Sequence, residues 1–263
     1  MIRNLVYDVG MNNGDDTAYY LHLGYNVVAI EANEFLVEKA KARFQPAISE
    51  NRLKIIHAGI GPEEGIFDFW VNEENDGHSS FLKEVAGRNN SKCHVVKTRC
   101  IQFDRVLMEH RVPYYLKIDI EKHDVHCLQG LEASDLPEYV SIEAHSLDYL
   151  VILAGLGYRS FKLVDQSCHN FPHRIFQNDT LSGYFLGTCV RGFRRVKYRF
   201  LDGKYRTGDY CFPRGTSGPF GEETPGEWHP LEDVAYDWLN YSRGHHRRGT
   251  HNKWGWYDFH AKK

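Results

Sequence analysis

Leu5-Val6-Tyr7-Asp8-Val9-Gly10-Met11-Asn12-Asn13-Gly14-Asp15-Asp16-Thr17 is an apolar run that passes through a glycine-containing turn into a helix start. A strand, a glycine turn and a helix in that order open a doubly wound α/β domain, in which a ligand sits over the carboxyl ends of parallel strands. A dinucleotide fingerprint starting at Gly10 needs glycines at positions 12 and 15, but this chain has Asn12 and Asp15 there. Asp15 and Asp16 suit a helix N-terminus yet repel a diphosphate.

A cationic ligand without phosphate suits this turn better. S-adenosylmethionine carries a sulfonium, an amino group and a ribose, and the spacing Asp8-x-Gly10-x-Asn12-x-Gly14 resembles the acid-x-Gly-x-Gly-x-Gly loop of class I methyltransferases, with Asn in the middle slot. Thr17 begins the helix that follows. A plain βα turn capped by Asp15 or Asp16 explains the stretch equally well when it is read alone. Tyr25 to Glu31 then forms a second buried strand ending in an acid 23 residues after Asp8, close to the interval of about 20 at which a strand-end carboxylate holds a ribose diol. The tip of the third strand, Ala58 to Gly61 with Gly59 at its centre, falls where an adenine ring stacks.

Outward from these strands, Glu34 to Phe44 and Ile101 to Val112 have helical spacing, the second ended by Pro113. Ile66 to Val71 alternates at period two, and with Cys93 to Arg99 it predicts a strand insertion over about 66–99, which brings Ser79 and Ser80 toward the ligand edge. The fourth strand, Tyr114 onward, ends in Asp119, Glu121, His123 and Asp124; so many ionisable groups at one tip repel one another unless something binds there. Helix capping by Asp124 accounts for one of the four. Tyr139 to His145 is a fifth strand ending in an acid and a histidine, and Leu147 to Leu156 is the next helix. Tyr158 to Val164 and Gly183 to Gly187 are expected to close the sheet as an antiparallel hairpin.

Strands alternating with helices and then a hairpin predict an α/β, doubly wound, Rossmann-like sheet of seven strands, mostly parallel. Val6-Tyr7-Asp8-Val9-Gly10, Lys117-Ile118-Asp119-Ile120-Glu121 and Ser141-Ile142-Glu143-Ala144-His145 together resemble the FkbM-type S-adenosylmethionine-dependent methyltransferases over roughly residues 5 to 190. That family usually has Glu-Gly-x-Glu after the fourth strand, where this chain has Glu121-Lys122-His123-Asp124. The resemblance implies O-methylation of a hydroxyl on a sugar, polyketide or similar small molecule. Asp8, Gly10, Asn12, Gly14, Thr17, Glu31, Gly59 and Asp119 are then the expected cofactor-binding residues. His145, Asp119, Glu121 and His123 are the candidates for the base, His145 having the intrinsic pKa best suited to neutral pH. The same acids and histidine can hold a divalent ion, although a metal-free site is the favoured expectation.

With 42% hydrophobic and 25% charged residues in 263, the chain has the composition of a globular protein. Its net charge of −3 makes nucleic acid an improbable partner. The absence of a long apolar run or a leader makes a cytoplasmic, membrane-free protein the expectation. Six cysteines without a Cys-x-x-Cys pair indicate neither zinc knuckle nor redox motif. Residues 1–190 are expected to form the methyltransferase domain and 191–263 an aromatic-rich extension that covers the acceptor, with Trp228, Trp238, Trp254 and Trp256 either as its wall or as packing. The basic run Arg243 to Arg248 reads as a solvated end. An NAD or nucleotide-sugar enzyme and a non-catalytic binding module are the rival readings; the first lacks a phosphate-friendly turn and the second does not require the acids at 119–124.

Overall fold

The computed structural model describes residues 1–166, 205–213, 215–246 and 256–263. Strand β1 (Ile2–Val9) leads into helix α1 (Asp15–His22), β2 (Asn26–Glu31), α2 (Glu34–Arg43), α3 (Gln45–Ser49) and β3 (Leu53–His57). After an insertion come α5 (Phe103–His110), β7 (Pro113–Ile118), α6 (Val125–Gln129), β8 (Tyr139–Glu143), α7 (Leu147–Leu156) and β9 (Ser160–Asp165). The chain ends in β12 (Tyr257–Lys262). These strands form one seven-stranded sheet in the order β3-β2-β1-β7-β8-β12-β9, parallel except for β12, which runs antiparallel to both neighbours.

Parallel strands covered on both faces are apolar throughout, and residues 5–9 are all buried for that reason. Tyr7, Val9, Leu116, Ile118, Val140 and Ile142 pack with Phe103, Leu128 and Leu150 on one face. Val6, Tyr19, Tyr20, Tyr115, Tyr139, Phe212 and Phe220 make an aromatic cluster on the other. Local signals set the helix starts: Asn33 Oδ1 accepts from the Phe35 amide at α2, and Ser146 Oγ from the Asp148 amide at α7.

The antiparallel partner of β9 is Tyr257–Lys262, where the sequence reading places Gly183–Gly187. Those residues, together with Cys168, Cys189, Trp254 and the side chains of 243–248, lie outside the described residues. Strand β12 escapes detection because its alternation is Phe259 and Ala261 against Asp258 and His260, and all four are buried. Residues beyond 190 therefore supply a strand of the sheet. Asp8, Lys117, Ser141, His260 and Lys162 are cross-strand partners in one buried polar row across five strands.

The expected insertion is a separate three-stranded sheet of β4 (Gly59–Ile60), β5 (Gly65–Asn72) and β6 (Cys93–Ile101), with β5 and β6 antiparallel over their full length. Between them lie a 3-10 turn (Asp76–His78) and α4 (Lys83–Ala86). A hairpin of β10 (Tyr205–Thr207) and β11 (Tyr210–Phe212) and a helix α8 (Leu231–His246) precede β12. Phe220 stacks on Tyr115 at 4.0 Å and Trp228 on Tyr139 at 6.0 Å, so this segment covers the face beside α1. Trp228 and Trp238 pack it onto the sheet. No helix among the described residues is long and apolar enough to cross a membrane.

Candidate active site

The turn after β1 is built from left-handed residues: Gly10 (φ 82°), Asn12 (φ 52°) and Gly14 (φ 80°). A side chain on Gly10 would collide with the carbonyl of Asp119, so only glycine lets the turn approach the end of β7. Asn tolerates the left-handed region better than other residues, which explains its place in the middle slot. Asp8 is fully buried beneath the turn, where its Oδ2 accepts from Thr17 Oγ1 at 2.6 Å and its Oδ1 lies 3.0 Å from Lys117 Nζ. Asp8 and Thr17 thus brace the turn from below. The same ammonium donates to the Gly10 carbonyl at 2.8 Å. Burial pushes Lys117 toward the neutral form, but Asp8, Asp119 and Asp16 outweigh it and raise its pKa.

Glu31 ends β2 with both carboxylate oxygens on backbone amides, Asn33 N and Asn12 N, each at 2.8 Å. Burial raises its pKa, while these two amides and Lys117 oppose the rise. Its carboxylate is therefore aimed by the turn itself. At Gly59 a side chain would collide with Phe81, which packs on Phe69 and His123. Gly59 thus makes room for a ring of the insertion.

Beyond β7 the chain makes a tight polar turn. Glu121 (φ 53°) and Lys122 (φ 74°) are both left-handed, and the Asp124 carboxylate accepts from Ile120 N and Lys122 N, each at 2.9 Å. Asp124 accordingly stitches this turn and makes no side-chain cap to α6. Lys122 keeps the backbone that glycine would adopt in the family pattern. Arg88 grips Glu121 with two hydrogen bonds of 2.7 and 2.9 Å, and Ser80 Oγ donates to the Glu121 carbonyl at 3.0 Å. Ser79 instead accepts from the Asn72 amide within the insertion.

At the neighbouring tip, His145 Nε2 lies 2.9 Å from Glu143 Oε2. One ligand atom each from Glu121, Glu143 and His145 lies within 4.8 Å of the others. Burial lowers the pKa of His145, but Glu143, Asp124 and Glu121 together raise it above the ordinary value. Glu121 is pushed up to about 6, first by burial, with Arg88 pulling it back. Asp119, partly exposed beside Gly10, is raised well above the ordinary carboxylate range by burial and by Glu143, Glu121 and Asp258, against the pull of Lys117.

Two of the four candidate bases, His145 and Glu121, are thus brought together, with Asp119 next to them. His123 is turned toward the insertion: its Nδ1 is 3.4 Å from the Ile60 carbonyl and its ring faces Phe81 and His126. Burial lowers its pKa, as does His126. Arg88 and Asp258 carry no signal in the sequence, and Glu143, legible as the acid that ends its strand, is not among the expected catalytic or binding residues. The Glu143-Ala144-His145 spacing, which puts both side chains on one side of the strand end, is the signal for Glu143. Asp258 is the cross-strand partner of Glu143, and its carboxylate accepts from Gln166 Nε2 at 2.6 Å.

A parallel sheet with this strand order, a glycine turn after β1, an acid at the end of β2 and an acidic tip on β7 define a Rossmann-like methyltransferase. The Methyltransferase FkbM domain matches residues 8–160, and the chain belongs to that family of S-adenosylmethionine-dependent methyltransferases. None of the curated proteins matches it. Similar solved structures include an S-adenosylmethionine-dependent methyltransferase from Archaeoglobus fulgidus (11% identity, 99% of this chain and 86% of that one, TM-score 0.41). Others are a methyltransferase from Geobacter sulfurreducens in complex with S-adenosyl-L-homocysteine (12% identity, 98% and 84%, TM-score 0.34) and a precorrin-6y C5,15-methyltransferase from Geobacter metallireducens (12% identity, 62% and 67%, TM-score 0.36).

Proposed function

We propose that the protein transfers a methyl group to a hydroxyl of a small molecule or sugar. The observation that carries this reading is the meeting of His145, Glu143 and Glu121 beside Asp119, at the strand ends next to the glycine turn. The residues fit the methyl donor: Gly10 leaves the turn free of a side chain, Glu31 presents a fixed carboxylate for a ribose diol, and Asp119 sets beside Gly10 a carboxyl whose ionised form a bound cation would favour. S-adenosylmethionine, when bound, supplies an electrophilic methyl on a sulfonium.

The protein's own work is to hold the acceptor oxygen in line and to ease the loss of its proton. Glu143 and His145 are placed for the second task. Ser80 and Arg88 fix Glu121 from the insertion side, and Trp238 of α8 donates to the Ala144 carbonyl at 2.8 Å, which holds the backbone between Glu143 and His145 from the C-terminal segment.

The test is methyl transfer from labelled S-adenosylmethionine to a panel of sugars and hydroxylated metabolites, with amines and thiols as controls. Transfer to a hydroxyl is expected, and His145→Ala should lower kcat by about 100-fold or more while donor affinity stays unchanged. Methylation of amines or thiols alone, or a fully active His145→Ala, overturns the reading.

A further inference from the structure

We infer that Glu121, Glu143 and His145 form a binding site for one divalent cation of the Mn²⁺ class at the ends of β7 and β8. Three ligand atoms from the ends of two neighbouring strands lie within 4.8 Å of one another. His145 Nε2 is shut away from solvent and has no hydrogen-bond partner, although Glu143 Oε2 is only 2.9 Å from it. The two atoms lie side by side without being aimed at each other. Ligands in adjacent positions around an ion, at bond lengths of about 2.1 Å, stand about 3 Å apart. A close but misaligned pair is therefore the arrangement of two ligands that share a cation.

The third ligand has its support in place. Arg88 and Ser80 fix Glu121 from the insertion, as outer-shell partners fix a metal-binding carboxylate, and each carboxylate oxygen keeps a second lone pair. Charge points the same way. Lys117 is engaged by Asp8 and Gly10, and Arg88 by Glu121, so these two neighbouring cations are already matched. One imidazole with two carboxylates is softer than the all-oxygen set of Ca²⁺ and harder than a thiolate site, which favours Mn²⁺. For its chemistry the site rests on the proposed hydroxyl acceptor. A divalent ion held there would lower the pKa of an acceptor hydroxyl brought to it, and Asp119 stands beside these residues as the carboxyl for that proton.

The experiment is titration of the full chain with Mn²⁺ followed by electron paramagnetic resonance, with S-adenosylmethionine binding measured in parallel by calorimetry. One Mn²⁺ per chain is expected, weakened by about 100-fold or more in His145→Ala and in Glu143→Gln, a larger loss than most outer-shell changes cause. Spin-echo spectra of the Mn²⁺-loaded wild type should show nitrogen modulation from one imidazole; that measurement needs no variant to fold. Absence of stoichiometric Mn²⁺, retention of Mn²⁺ by both variants, or absence of nitrogen modulation overturns the site. A chain that binds the donor but takes up no stoichiometric Mn²⁺ sinks the cation site alone, whereas Mn²⁺ binding without methyl transfer to any hydroxyl supports the site and counts against the proposed function.

Discussion

Lys117 Nζ donates to the Gly10 carbonyl at 2.8 Å and lies 3.0 Å from Asp8 Oδ1, so one ammonium on β7 ties the turn after β1 to the middle of the sheet. Lys117→Met leaves Asp8 buried with only the Thr17 hydroxyl. Breaking a buried pair on one side costs about 3–5 kcal/mol, because the remaining charge is uncompensated. Urea denaturation should show a loss of that size, and adding Asp8→Asn should recover a good part of it. A Lys117→Met protein as stable as wild type would show that the ammonium does not hold the turn.

What the sequence reveals divides along a physical line. Local patterns set β1, its turn, β2 with Glu31, and the β5–β6 insertion, because apolar runs, glycines and alternation act over a few residues. Helix α7 begins and ends where its Ser146 cap and Gly157 place it. The candidate site is only half legible. Asp119, Glu121 and His145 stand out as strand-end polar groups, but the meeting of Glu121 with Glu143 needs the β7–β8 pairing and two left-handed residues at 121 and 122. Arg88 reaches Glu121 from 33 positions away along the chain, and no local pattern encodes such a contact. The last strand of the sheet is hidden for the opposite reason, since its buried Asp258 and His260 break the apolar signature of a central strand.

Asp16 gives the fold a pH dependence of known sign. Its buried carboxylate accepts from the Ser217 amide at 3.0 and 3.1 Å and lies 4.0 Å from Lys117. Burial pushes its pKa from 3.8 to about 6, with Lys117 pulling it back and Asp8 pushing further. The folded protein holds this proton more tightly than the unfolded chain does. Ionised Asp16 therefore costs stability above about pH 6, and the cost fades as pH falls toward 3.8. Asp16→Asn removes the titration. Its stability relative to wild type should rise by about 2–3 kcal/mol between pH 4 and pH 8. Parallel pH profiles of the two proteins in urea denaturation would contradict this account of Asp16.

Lys122 is exposed and left-handed, with φ 74°, in the turn that carries Glu121. The FkbM pattern usually has glycine at this place, and the backbone here keeps the conformation glycine favours. A left-handed residue other than glycine costs about 1–2 kcal/mol, and glycine gives back about 0.5–1 kcal/mol through the freedom it adds to the unfolded chain. Lys122→Gly should therefore stabilise the protein by about 0.5–1 kcal/mol, read from the urea midpoint at unchanged slope. The Lys122 amide bond to Asp124 Oδ2 survives the change because it is a backbone bond. Donor affinity should stay the same, since no side-chain contact of Lys122 braces the glycine turn. A destabilised Lys122→Gly would mean that the lysine side chain contributes more than its backbone strain costs, and the turn would then owe its shape to that side chain.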